Sequence, residues 1–122
     1  MDSANGVIRT VASGLWEREK LLIHFSRIRR MIEQVRARGE QVLVLRDLRN
    51  AETQPPEIAQ LVNIEGRRCF ADADRLAVLT SSSLLKMQMK RAVSHSRAAF
   101  FLSPNAAMTW LTAYRQDHLI AN

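Results

Sequence analysis

Apolar residues recur along the 122-residue chain in two rhythms that take turns. The β-branched group Val7, Ile8, Thr10 and Val11 predicts a strand over residues 7–11, ended by Ser13-Gly14 and followed by Leu15-Trp16 at the entry to a helix. Over residues 17–38, Leu21, Leu22, Phe25, Ile28, Ile32 and Val35 fall at steps of three and four, one apolar stripe on an otherwise charged helix. Gly39, directly after two arginine-bearing positions, stops that helix. Val42-Leu43-Val44-Leu45 is instead a continuous apolar run, as expected of a strand covered on both faces in a parallel sheet. The polar residues 46–54 then leave the strand as a loop. Pro55-Pro56-Glu57 has the proline and early acid of a helix start. Ile58, Leu61, Val62, Cys69 and Phe70 line the inner face of this second helix, which ends by residue 72; Gly66 marks a close contact or a break within it.

The pattern repeats twice more. Leu76-Ala77-Val78-Leu79 is a second buried run, Ser81-Ser82-Ser83 offers hydroxyls to cap a helix, and residues 84–93 continue helically, with at least one of Met87 and Met89 in the core beside Leu84 and Leu85. Ala98-Ala99-Phe100-Phe101-Leu102 is the fourth strand, and Ser103-Pro104-Asn105 opens a last helix through Trp110, Leu111 and Tyr114. The resulting order, β-α-β-α-β-α-β-α, is that of a single α/β domain over residues 1–122, one layer of mostly parallel sheet with right-handed helical crossovers.

Composition changes this picture little. Hydrophobic residues at 47% and charged residues at 25% are those of a folded globular chain. A lone cysteine excludes an intramolecular disulfide, no apolar run is long enough for a membrane span, and the amino terminus has no signal-peptide pattern, so a cytoplasmic setting is expected. Charge adds more. The net +6 matches the six cations Arg75, Lys86, Lys90, Arg91, Arg97 and Arg115, which lie in a stretch free of acids between Asp74 and Asp117. The first helix is a second basic surface. Such charges suit a phosphate-rich partner, but their commoner meaning is a solvated face.

Catalytic chemistry finds no support. The four glycines are isolated and form no nucleotide-binding turn, and His24, His95 and His118 are too far apart to suggest a metal site. Neither Ser81-Ser82-Ser83 nor Ser94-His95-Ser96 resembles a nucleophile elbow, and Cys69 on its apolar stretch reads as a small core residue. No enzyme activity and no cofactor is therefore expected. One location follows from architecture: open parallel sheets bind ligands beyond the carboxyl ends of their strands. There the chain carries Asp47, Arg49, Ser81, Ser82, Ser83 and Lys86, the candidate contacts for a small anionic or amphiphilic ligand. The same residues have a plainer and commoner use, with the serines as caps and an Asp47–Arg49 pair ordering the loop.

Four segments carry a resemblance that covers nearly the whole chain: Ser13-Gly14-Leu15-Trp16; Leu45-Arg46-Asp47-Leu48-Arg49; Arg75-Leu76-Ala77-Val78-Leu79 with Met87-Gln88; and Ala107-Met108-Thr109-Trp110-Leu111. In these the chain resembles the bacterial STAS/SpoIIAA-like domains, small α/β modules related in fold to anti-sigma-factor antagonists. The resemblance implies a regulatory module that catalyses nothing and either binds an unknown protein partner or senses a small ligand. It departs in two places. The antagonists' Asp-Ser-Ser-Gly helix start, where phosphorylation breaks partner binding, corresponds here to Ala51-Glu52-Thr53-Gln54-Pro55-Pro56, leaving only Thr53 to take its part. Relatives have a short strand ahead of the first one here; its lack implies an open sheet edge at residues 7–11 and a homodimer that covers Val7 and Val11. Nucleic-acid binding ranks last, since the aromatic content is only 6% and no recognition motif accompanies the charge.

Overall fold

The computed structural model describes residues 6–92 and 98–121, with side chains for 6–91 and 98–113. Strands and helices alternate as β1 (Ile8–Val11), α1 (Arg18–Ala37), β2 (Leu43–Asp47), α2 (Pro56–Cys69), β3 (Arg75–Leu79), α3 (Ser83–Ala92), β4 (Ala98–Phe101) and α4 (Pro104–Ala121). All three strand pairings are parallel, and the sheet order is β1-β2-β3-β4. The chain is thus an α/β fold on a parallel sheet, as the two alternating rhythms require.

The order never reverses, and this decides the layering. Successive steps in one direction, each with a crossover of the same hand, put the three connecting helices on one face. The core divides accordingly. On one side Leu21, Phe25, Ile28 and Ile32 of α1, Leu61 and Val62 of α2, and Leu85 and Met89 of α3 pack with Ile8, Val44, Leu76 and Val78. On the other, Ala107 and Leu111 of α4 pack with Val7, Leu43, Leu45, Ala77 and Leu79. Both faces of β2 and β3 are covered, which is why their sequences are continuous apolar runs. The outer strand β1 is short and alternates, with Ile8 and Thr10 buried and Arg9 and Val11 exposed.

Local signals explain the element ends. Gly39 takes φ +72° after α1, and its N–H donates to Arg36 O at 2.9 Å while Glu40 N–H reaches Val35 O at 3.3 Å, closing the last turn. Asp74 holds the turn between α2 and β3, accepting from Ala71 N–H at 2.8 Å and pairing with Arg36 of α1. Glu65 is likewise buried on α2 and accepts from Arg29 at 3.3 Å and Arg68 at 3.4 Å. Part of the basic surface of α1 is therefore spent on two buried carboxylates of its neighbour.

Three expectations need correction. Leu22 belongs to no buried stripe: at 36% exposure it lies past the edge of the face defined by Leu21 and Phe25. Gly66 neither breaks α2 nor makes a close contact, since the helix runs through it and nothing lies within 4 Å of a Cβ placed there. The second helix ends at Cys69, before residue 72 as expected, where the Ala71–Asp74 turn takes over. Arg46 is not the start of a loop. Strand β2 runs on to Asp47 because Arg46 and Asp47 are register partners of Thr10 and Val11 on one side and of Val78 and Leu79 on the other. Ser94, His95, Ser96 and Arg97 lie outside the described residues, and the side chains of Tyr114, Arg115 and His118 lie outside them too.

Candidate functional site

The carboxyl ends of the strands form one continuous edge. Because all three crossovers turn to the same face, no reversal of strand order opens a crevice there. The loops instead pack on each other. Gly14, at φ +68°, receives Glu52 N–H on its carbonyl at 3.0 Å and donates its own N–H to Asn50 O at 2.8 Å. Gln54 is the hub: its Oε1 accepts from Trp16 N–H at 2.8 Å, and its Nε2 donates to Gly14 O at 2.9 Å and Glu52 O at 2.6 Å. Its backbone exchanges two further bonds with the Gln88 side chain of α3, at 2.8 and 2.6 Å. Two loops and α3 are thereby tied through one residue.

The residues expected at this edge are all present there, and four of them, Asp47, Arg49, Ser81 and Ser82, have partners that account for their place. Arg49 grips Asp47 with Nε–Oδ1 at 3.0 Å and Nη2–Oδ2 at 2.7 Å, and this hydrogen bonding holds the Asp47 carboxyl below its ordinary range. Ser81 Oγ donates to Arg49 O at 2.6 Å, and Ser82 Oγ accepts from Leu85 N–H at 3.1 Å as the cap of α3. Ser83 is exposed in the first turn, and Lys86 is half-buried one turn further on.

A second group of residues at the same edge has no such account, and it did not stand out in the sequence. Thr10 and Arg46 are register partners whose side chains face α1, the side of Ile8 and Val44, and Thr80 continues the same alternation from Val78. All three are at most 1% exposed. Thr10 Oγ1, Thr80 Oγ1, Arg46 Nε and Trp16 Nε1 are covered and have no hydrogen-bond partner among the described residues. Taking a guanidinium out of water costs several kcal/mol unless a countercharge is near. Among the described residues Arg46 meets the Phe25 ring, 4.9 Å from its guanidinium carbon, and His24 Nε2, 3.3 Å from Nη2. Burial draws its pKa down to about 10, so it stays charged at neutral pH. His24 is drawn down to about 4 by burial and by Arg46, and is neutral. An arginine only donates, so His24 Nε2 accepts and the imidazole proton sits on Nδ1. Beside His24 a cavity of about 250 Å³ opens between the loop after β1 and the first turns of α1.

A longer groove of about 430 Å³ lies on the outer side of the edge, between α2 and α3, where Thr53, Pro56 and Ala59 face Leu84, Met87 and Arg91. Leu84 and Met87 are 64% and 54% exposed there, while Leu85 and Met89 take the core side of the same helix. No group of three or more metal-ligating side chains occurs among the described residues, and no helix among them is long and apolar enough to cross a membrane. The thiol of Cys69 is buried against Phe25 O at 3.6 Å, and burial pushes its pKa up, as suits a core residue. Comparison of the chain with protein-family models, with curated proteins and with solved structures gives no match in any of the three.

Proposed function

We propose that the chain is a non-catalytic regulatory module of the STAS-like type that binds a protein partner in the cytoplasm, and that the partner docks in the groove between α2 and α3. The observation that carries this reading is the pair of exposed apolar side chains, Leu84 and Met87, on a helix whose Leu85 and Met89 are buried. A flexible methionine on the wall of a helix–helix groove suits the apolar face of an amphipathic partner helix. Arg91 at the groove's far end favours an acidic residue on that helix. The groove also opens beside Thr53 and Pro56, at the helix start that corresponds to the phosphorylated segment of the antagonists the chain resembles. The Gln54 bonds keep that helix start and α3 in fixed relation, which supports recognition by shape rather than by induced closure.

Affinity capture from the native host, run in parallel with wild type and a Leu84→Glu, Met87→Glu variant of equal thermal stability, tests the reading. A partner retained by wild type and lost by the variant is expected. Equal recovery with both, or a specific partner with neither, would reject the groove.

A further inference from the structure

The groove between α2 and α3 has a direction as well as a lining. Each of these helices returns from the carboxyl to the amino ends of a parallel sheet, so the two run the same way and begin together at the edge that holds Thr53 and Pro56. Charge follows that direction. The exposed acids Glu52 and Glu57 adjoin Thr53 and Pro56 at the start of α2, whereas Arg67 and Arg68 end α2 and Lys90 and Arg91 end α3, which contains no acid. Arg91 lines the groove, and Arg67 stands one turn beyond the lining residue Asn63. Glu65, the other acid of α2, is buried and held by Arg29 and Arg68, and of the turn that follows only Asp72 is an exposed acid, so cations prevail at this end. Lys86, the remaining cation of α3, does not line the groove.

We infer that the occupant of the groove is a partner helix of about three turns that lies antiparallel to α2 and α3, its acidic first turn beside Arg67 and Arg91 and its basic last turn beside Glu52 and Glu57. This rests on the groove reading above and adds the occupant's direction and charge order. Helices favour acids in their first turn and bases in their last, because those charges suit their own dipoles. Both walls of the groove follow this rule, with Glu57 first and Arg67, Lys90 and Arg91 last. A partner that follows it too meets opposite charges at both ends when antiparallel and like charges at both ends when parallel. The helix dipoles favour the same arrangement. Leu84 and Met87 accept an apolar face in either direction, so charge decides between them. The length follows from the distance along α2 from Pro56 to Arg67, about 16 Å at 1.5 Å per residue.

Two synthetic helices of about twelve residues test the inference, each held helical by a hydrocarbon staple on its outer face and sharing one stripe of leucine and methionine. One carries glutamates in its first turn and lysines in its last; the other has these charges exchanged. By fluorescence anisotropy with the full chain, the first is expected to bind at least about fivefold more tightly at low salt, with the difference shrinking as salt rises. Arg67→Glu, Arg91→Glu is expected to reverse the preference. A nitroxide at the amino terminus of the first peptide is expected to broaden amide signals near Arg67 more than those near Glu57. Equal affinities, or stronger broadening near Glu57, would overturn the direction while the groove reading stands, provided that Leu84→Glu, Met87→Glu abolishes binding. Binding that survives that variant would reject the groove and the inference with it. Binding of neither peptide would overturn the helical occupant, and capture from the host then decides the groove alone. Should the charge-reversed variant fail to fold, the nitroxide and the salt dependence decide the direction without it.

Discussion

Gln54 and Arg46 are both long polar side chains buried at the same edge of the same sheet, at 3% and 1% exposure, and the protein treats them in opposite ways. Every polar atom of Gln54 has a partner, and those partners come from the loop after β1, its own loop and α3. Around Arg46, four polar atoms have none. The contrast separates two reasons for burying polarity. A satisfied network in a low-dielectric interior fixes geometry and asks for nothing further. An unsatisfied one is a standing cost, which folded proteins keep mainly at sites where something else supplies the missing partner. The half of the edge whose geometry is fixed from within is thus the one with the most hydrogen bonds, and the half around Arg46 has the fewest.

Breaking each half in turn sharpens the contrast. Gln54→Leu leaves the backbone bonds to Gln88 in place but strands Trp16 N–H and the Gly14 and Glu52 carbonyls, and is expected to destabilise the fold by about 2–4 kcal/mol in urea unfolding. Arg46→Met replaces a buried charge by an apolar chain of similar length, and the same measurement is expected to show anything from no change to a gain of about 2 kcal/mol. A loss as large as that of Gln54→Leu would mean the two halves are alike and Arg46 is structural. Protonation distinguishes them again, since the Gln54 bonds hold no titrating side chain. His24 is lowered from 6.5 to about 4 in the folded protein, so the unfolded chain takes up this proton first as pH falls. Stability is therefore full above 6.5 and declines from there toward 4. Urea midpoints measured between about pH 7 and pH 5, above the ordinary carboxylate range, should fall with pH in wild type and fall less in His24→Asn. The smallest effect is expected at the serines: Ser82→Ala removes the cap of α3 and costs about 1 kcal/mol, while Ser83→Ala changes the midpoint by less than about half of that.

The order of elements was legible because each is announced by a local rhythm. The stripe from Leu21 to Val35 and the stop at Gly39 depend on residues within one or two turns of each other, and the structure places all of them but Leu22 as read. The expected edge residues were legible for the same reason, as short-range partners: Asp47 with Arg49, Ser82 with Leu85. Gln54 and Arg46 were not. Gln54 finds its partners 34 to 40 positions away, apart from one loop carbonyl, and nothing in Thr53-Gln54-Pro55 marks it for burial. Arg46, next to Asp47 and a polar stretch, looks like the start of a loop.

Sequence alone settled which segments become strands or helices and which faces of them are apolar, since the periods of strand and helix are properties of a few consecutive residues. Only the tertiary structure decided that the strands stack in chain order, that three helices share one face, and that β2 carries Arg46, the residue after its apolar run, into the covered space beneath α1. Whether a polar side chain ends up in water is set by what lies above it, and above Arg46 lie Phe25 and His24, two turns into a helix that the chain had formed some twenty residues earlier.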